Sequence, residues 1–251
     1  MDLGLNGRTV VVTGASGGIG REIARGYAAE GSHVVLTYHG SRDDAEAVAK
    51  EIGERSLVAR YELGDPDSAA ALVAAALEWT GRIDVLVNNA VRWGGRPPGP
   101  DSVFENIADA EWTEVLRRNT EGAVQLTRLV APLMRERRFG RLVHISSSIA
   151  VDGMSGGEYY GTAKAALHGF SRSVAFSLGR DGDILSNVVL PGFTRTARNG
   201  AMTEAVGHLY SERAPIGRLL EAAEVANAVV YLGSAANTGI TGQVISVTGG
   251  A

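Results

Sequence analysis

The sequence predicts an α/β fold: a doubly wound parallel sheet of about seven strands with helices on both faces. Three observations predict it. Short apolar runs alternate with longer stretches whose apolar residues recur at helical spacing, along nearly the whole chain. Several runs, such as "RTVVVT" and "IDVLVN", are almost continuously apolar, as strands covered on both faces should be. A glycine cluster, "GASGGIG", stands between the first run and the helical stretch that follows it.

The elements follow in order. Strands are expected at 8–13 ("RTVVVT"), 33–38 ("HVVLTY"), 56–61 ("SLVARY") and 83–88 ("IDVLVN"). Three more are expected at 141–146 ("RLVHIS"), 184–190 ("ILSNVVL") and 243–248 ("QVISVT"). Helices are expected between them at 19–30, 43–53, 66–80, 112–137, 158–179 and 221–233. Such alternation implies right-handed crossovers into one sheet. No linker or break in composition interrupts it, so residues 1–251 are expected to form a single domain. The Gly/Pro-rich stretch at 92–102 follows a strand and is expected to be a surface or site loop. The interval 191–220 is the longest without strand signal. Within it a substrate lid is expected at about 193–210, with Gly192, Gly200 and Gly207 as hinges.

Composition removes several classes of function. A chain of 251 residues buries a sizeable core without help from disulfides or metal. Cysteine is absent, which excludes disulfides, thiolate metal sites and thiol catalysis, and no metal is expected. A net charge of −4 argues against a nucleic-acid partner. No apolar run approaches the ~20 residues of a membrane span, and "MDLGLNGRTVVVTG" lacks the features of a signal peptide. The expected location is cytoplasmic.

The glycine cluster carries the first chemistry. Gly14, Gly18 and Gly20 let the backbone turn tightly and approach a pyrophosphate at a helix N-terminus. Ser16 adds a hydroxyl, and Ile19 lies between the last two glycines. A strand before it and a helix after it supply the context that a dinucleotide-binding Rossmann unit requires.

The spacing T-G-x-x-x-G-x-G resembles that of the short-chain dehydrogenase/reductase family. "NNA" at 88–90, Asn119 in a long helix, Ser147, Tyr160-x-x-x-Lys164 and "PG" at 191–192 follow in the family's order. "GQVISVTGG" is similar to the family's last strand. The resemblance implies catalytic roles for Asn119, Ser147, Tyr160 and Lys164. It also implies cofactor contacts at Asn89, Ala90, Tyr160, Lys164, Pro191, Gly192, Thr194 and Thr196, with Glu62 and Leu63 flanking the adenine. One departure stands out: Val91 takes the place of the family's glycine. Either the loop there follows another path, or the position is not at positive φ.

The end of the second strand decides the cofactor. An acid there would bind the 2′-hydroxyl of NAD and repel a 2′-phosphate. This chain has Tyr38, followed by Ser41 and Arg42, a hydroxyl and a guanidinium suited to a phosphate dianion. NADP(H) is therefore expected. Gly17 speaks the other way, since NADP-preferring relatives often carry a cation at that place.

Lys164 is one of two lysines in a chain with 24 cationic Lys and Arg residues. Tyr160 lies one helical turn before it and shares its face. A nearby ammonium favours phenolate, so Lys164 is expected to lower the Tyr160 pKa. Tyr159 points elsewhere and is expected to pack. Strand alternation separates Ser147 from Ser146 and Ser148, and the family's spacing to Tyr160 selects Ser147 to hold a substrate carbonyl. Trp93, Ser147, Ile149, Met154 and Phe193 are expected to line the substrate pocket.

The expected function is NADPH-dependent reduction of a ketone. Within the family the chain is similar to 3-oxoacyl carrier-protein reductases and ketoreductases that tailor polyketides. The substrate is then a small ketone, or its alcohol, borne on a carrier protein or free. Two alternatives remain: an NAD-dependent alcohol dehydrogenase working in the oxidative direction, or a non-catalytic nucleotide-sensing protein. The resemblance also implies a homodimer or homotetramer paired through helices 112–137 and 158–179. The second of these is expected to present Ala163, Ala166, Leu167 and Phe170.

Overall fold

The computed structural model describes residues 1–94 and 103–251. Positions 95–102 of the expected Gly/Pro-rich loop lie outside the described residues. In order, the chain forms β1 (Thr9–Val12), α1 (Gly18–Ala29), β2 (His33–Tyr38), α2 (Arg42–Ile52), β3 (Ser56–Arg60) and α3 (Pro66–Thr80). Next come β4 (Val85–Asn88), α4 (Asp109–Arg137), β5 (Phe139–Ile145), α5 (Ile149–Asp152), α6 (Glu158–Leu178) and β6 (Asp183–Pro191). The last part holds β7 (Thr194–Arg195), α7 (Gly200–Arg213), β8 (Leu220–Glu221), α8 (Ala222–Leu232) and β9 (Val244–Val247).

Seven strands form one parallel sheet in the order β3-β2-β1-β4-β5-β6-β9. This is the doubly wound Rossmann arrangement. Winding reverses between β1 and β4, where Val10 pairs with Val85 and Val12 with Val87.

Strand alternation sorts the apolar residues onto two cores. Val10, Val12, Val34, Leu36, Val85 and Val87 pack with Ile23 and Tyr27 of α1 and Val225 and Val229 of α8. Val11, Val35 and Leu86, one residue out of phase, pack with Leu72 of α3 and Leu126 and Met134 of α4.

Local chemistry sets the element ends. Asp65 caps α3 by accepting from the backbone N–H groups of Asp67 and Ser68, Pro66 fills the first position, and Gly81 at φ 71° ends it. Glu221 and Glu224 form a reciprocal capping box on α8. Arg138, at φ 53°, turns the chain straight from α4 into β5, so that strand starts at Phe139 and not at the expected 141.

The interval 191–220 differs most from expectation. It contains α7 and two short parallel strands, β7 and β8, which pair Thr194 with Leu220. Strands of two residues are too short to show a period. The apolar residues of "GAMTEAVGHLYSER" do not gather into one stripe, which hid α7 from a periodicity argument. Gly207 is buried inside α7 against Leu219, and the Gly192 N–H bonds to the Val247 carbonyl, so both glycines have packing roles. No helix among the described residues is long and apolar enough to cross a membrane.

One buried titratable group ties the middle of the sheet together. His144 of β5 meets the Asn88 amide through Nδ1 (3.1 Å) and the Ser186 hydroxyl through Nε2 (3.5 Å). Burial, and then the charge of Lys164, lower its pKa from 6.5 to about 4. Between those values the unfolded chain binds a proton that the folded chain does not. The contribution is therefore present above pH 6.5 and is lost as pH falls toward about 4. Urea unfolding across that window should show a loss of about 3 kcal/mol, and His144→Gln should flatten the slope.

Candidate active site

The site begins at the point where winding reverses. The Thr13 hydroxyl, just beyond β1, donates to the Val87 carbonyl (3.1 Å) and accepts from the N–H groups of Asn89 (2.8 Å) and Ala90 (2.9 Å). The Asn89 amide donates to the Thr13 carbonyl (2.8 Å) and the Gly14 carbonyl (3.3 Å). From β2, the Thr37 hydroxyl accepts the Gly14 N–H at 2.9 Å. Gly14 itself sits at φ 67°, and a Cβ there would stand 3.0 Å from the Cα of Ala90. Gly20 lies so close that its Cβ would collide with the Gly14 carbonyl oxygen at 2.3 Å. Over Gly18 the space is open, with no atom within 4 Å of an added Cβ. The helix N-terminus at Gly18 carries no acid in its first turn, so its N–H groups remain suited to an anion.

After β4 the chain passes Val91, which is not at positive φ; among the described residues only Arg138 outside the glycines is. The second of the two expected outcomes therefore holds. Asn119 fixes the next residue from both sides, accepting the Arg92 N–H (3.0 Å) and donating to the Arg92 carbonyl (2.7 Å) and the Val115 carbonyl (2.8 Å). That clasp aims the following residue, Trp93, at the centre of the site.

Beyond β5, Ser146 and Ser147 divide as alternation predicts, while Ser148, at φ −56° and ψ −29°, has already left the extended chain. Ser146 is buried and turns inward, bonding to the Lys164 carbonyl (3.1 Å) and to Nε2 of His168 (2.8 Å). Ser147 turns the other way, toward the Tyr160 phenol, whose pKa its hydroxyl acts to lower. Its Oγ also accepts the Ile149 N–H at 3.3 Å. One turn after Tyr160, the buried Lys164 donates from Nζ to the Ile145 carbonyl at 2.8 Å. Tyr159 stacks with Phe104 and Trp112 at 5.7 and 5.6 Å, the packing role expected of it.

The residue range 14–251 matches the family model described as "Enoyl-(Acyl carrier protein) reductase". A solved structure described as a "short chain dehydrogenase/reductase family protein" superposes with a TM-score of 0.86 at 33% identity, covering 98% of each chain. The chain belongs to the short-chain dehydrogenase/reductase family. It is similar to nodulation protein G of Rhizobium sp. (strain N33), 38% identical over 98% of this chain and 97% of that one. It is similar also to the 3-oxoacyl-[acyl-carrier-protein] reductase FabG of Aquifex aeolicus (strain VF5), 36% identical over 100% and 99%. A crystal structure of 3-ketoacyl-(acyl-carrier-protein) reductase from Brucella melitensis complexed with NADH superposes with a TM-score of 0.88 at 26% identity, covering 98% of each chain.

Electrostatics at the centre of this short-chain dehydrogenase/reductase depart from the sequence expectation. The Tyr160 pKa is raised, not lowered. Burial is the main cause, opposed by the Ser147 hydroxyl. Trp93 covers one face of the ring, stacking on Tyr160 at 4.2 Å with 22° between planes. Lys164 does not offset it, because its Nζ is 5.7 Å from the ring centroid and bonded to a carbonyl. Burial lowers the Lys164 pKa itself to about 8.

The other expected site residues fall around this centre. Ser41 stands at the N-cap of α2 without a side-chain capping bond, and Arg42 pairs with Glu46 at 2.7 Å on the surface. Tyr38 ends β2. Glu62 is engaged by Arg118 (3.0 Å), while Leu63 packs on Gly122. Pro191 accepts the Ser148 N–H, Thr194 bonds the Gly192 carbonyl, and the Thr196 N–H bonds Asn199. Ile149 packs against Gly157 and Gly161, and Met154 lies beside Gly157. Phe193 meets Tyr210 of α7 at 4.6 Å. Sequence reasoning missed Thr13 and Thr37, although both adjoin readable motifs at strand ends.

In the protein without ligand, the Tyr160 phenol should keep its proton above its ordinary value of 10.0. Near-ultraviolet titration, read as the difference from Tyr160→Phe, measures this directly. Trp93→Ala should admit water and bring the value down.

Proposed function

We propose that the chain is an NADPH-dependent reductase that converts a ketone to an alcohol, on a 3-oxoacyl thioester or a cyclic or aromatic polyketide. The observation that carries this reading is the Ser147–Tyr160 hydroxyl pair with Lys164 one turn away. The glycine loop, the free helix N-terminus and the uncapping Ser41 hydroxyl fit a dinucleotide, and Tyr38 in place of an acid favours the 2′-phosphate. The Brucella melitensis relative was crystallised with NADH; for this chain the residues around Tyr38 favour the phosphorylated form.

When bound, the nicotinamide supplies hydride. Ser147 holds the carbonyl oxygen, and Tyr160 gives its proton to the alkoxide as charge develops there. Lys164 would hold the ribose hydroxyls of the cofactor and serve the phenol with the donors that the Ile145 carbonyl leaves free. Asn119 keeps Arg92 and Trp93 in register and supports proton relay. Because Trp93 covers Tyr160 in the ligand-free fold, it must move aside or form one wall of the pocket, with Phe193–Tyr210 closing as a lid. Reverse oxidation uses the same groups.

Tyr160→Phe should cut turnover by ~10²–10⁴ and leave NADPH affinity nearly intact. Lys164→Ala should harm both, and Tyr159→Phe should do little. Reduction should fall as pH rises through about 8, where Lys164 gives up its proton. A 3-oxoacyl thioester should be reduced in preference to a 2-enoyl thioester. The opposite order would favour the enoyl description borne by the matching family model.

We also propose that copies pair through α4 and α6. Ala163 and Leu167 are buried in the chain's own core, which corrects the face expected from sequence. The outer face of α6 instead presents Thr162, Ala166, Gly169, Ser173 and Phe176, the last 78% exposed. Small residues let a second helix approach closely. Light scattering should report a dimer or larger, and Phe176→Glu should weaken it.

A further inference from the structure

We propose that Arg198 is the cation that reads the 2′-phosphate of NADP(H), delivered from the segment beyond β6. This deepens the NADPH reading above and rests on it. In a doubly wound fold the adenosine ribose lies at the carboxyl end of β2. Here that end is Tyr38, flanked by the glycine loop on one side and the first turn of α2 on the other. The Arg198 guanidinium bridges those flanks. Its Nη2 lies 3.3 Å from the Ser16 carbonyl oxygen, 3.4 Å from the Ser16 hydroxyl and 2.9 Å from the Asp44 carboxylate.

Gly17 supplies an independent observation. Its φ of −179° is extended backbone open to any residue, so conformation does not call for glycine. Space does. A Cβ on Gly17 would stand 2.4 Å from Nε of Arg198 and 2.5 Å from its Cζ. The loop position that lacks a side chain is filled by a guanidinium from 181 residues further along the chain.

The turn that carries Arg198 is tied down. Asn199 accepts the Thr196 N–H (2.8 Å), donates to the Thr194 carbonyl (2.8 Å) and meets the Thr203 hydroxyl (3.2 Å). A second guanidinium, Arg21, also reaches the Ser16 carbonyl at 3.3 Å, and its Nε is buried without a partner among the described residues. Two cations converging on one carbonyl oxygen, one of them paired with the Asp44 carboxylate, favour a dianion between them. The Arg198–Asp44 pair is half exposed on both sides, so exchanging Asp44 for a phosphate costs little. Arg198 also lies between β7 and α7, so phosphate recognition draws the lid onto the adenosine half of the cofactor.

Calorimetric titration of the full chain with NADP⁺ and with NAD⁺ tests this. The unmutated protein should prefer NADP⁺. Arg198→Ala should weaken NADP⁺ by about 10- to 100-fold while NAD⁺ binding persists, which also shows that the variant folds. Adding Gly17→Arg to Arg198→Ala returns a cation to the same place and should restore the preference. Gly17→Ala alone should displace the guanidinium and lower the preference in part. If Arg198→Ala leaves the NADP⁺ to NAD⁺ ratio unchanged, or weakens both cofactors equally, the role of Arg198 is overturned and the NADPH reading stands. Equal affinities in the unmutated protein would overturn both.

Discussion

The Thr13 hydroxyl is the constraint on which the site depends. One donor and two acceptor positions are all that a hydroxyl has for this purpose, and Thr13 uses all three between β1 and the chain leaving β4. It thereby fixes the two strands whose crossovers go to opposite faces. The crevice between them is where an open α/β sheet binds ligands. The glycine loop starts at the next residue, and Asn89 returns two further bonds to it. A serine could make the same bonds with less restriction at χ1; a valine could make none of them.

That geometry explains why so much of the site was legible. The inner strands of the sheet showed themselves as short apolar runs because both of their faces are covered, and Val10, Val11 and Val12 of β1 reach different cores while looking identical in sequence. The separation of Ser146 from Ser147 followed from alternation, and their partners differ accordingly: Ser146 bonds the Lys164 carbonyl, while the Ser147 hydroxyl accepts the Ile149 N–H. What sequence hid was of another kind. The stack of Trp93 on Tyr160 depends on how Asn119 clasps Arg92 across 27 residues. The meeting of Arg198 with Gly17 depends on a turn held by Asn199. Neither has a period or a local spacing. The face of α6 was misjudged for a related reason: helical periodicity gives the stripe, and only packing against α4 and β6 says which stripe is inside.

The raised Tyr160 pKa and the lowered Lys164 pKa share one cause. Both groups are buried in the fold without ligand, and burial disfavours the phenolate and the ammonium alike. A phenol that keeps its proton is suited to give it up only when a developing alkoxide is present to take it. The cover that keeps Tyr160 in that state is an aromatic face, Trp93, which is half exposed and anchored through backbone rather than buried among side chains. Removing such a cover forfeits one stacked face, so it suits a pocket that has to open.

The same reasoning explains why a chain rich in arginine places lysine at 164. The fold does bury an arginine completely, Arg141, and spends that guanidinium on the carbonyls of Ser234, Gly140, Asp183 and Asn237 and the Asp183 carboxylate. Its charge is permanent, so every donor has to be met within the protein. An arginine satisfied in that way has nothing left for a ligand. Lys164 is also buried, yet among the described residues only one of its three donors is bonded, to the Ile145 carbonyl. It tolerates that because its pKa can fall to about 8, leaving the ammonium poised rather than fixed. Two donors on a compact head then remain for the phenol and for a ribose, groups that a planar guanidinium could not serve from the same helical turn.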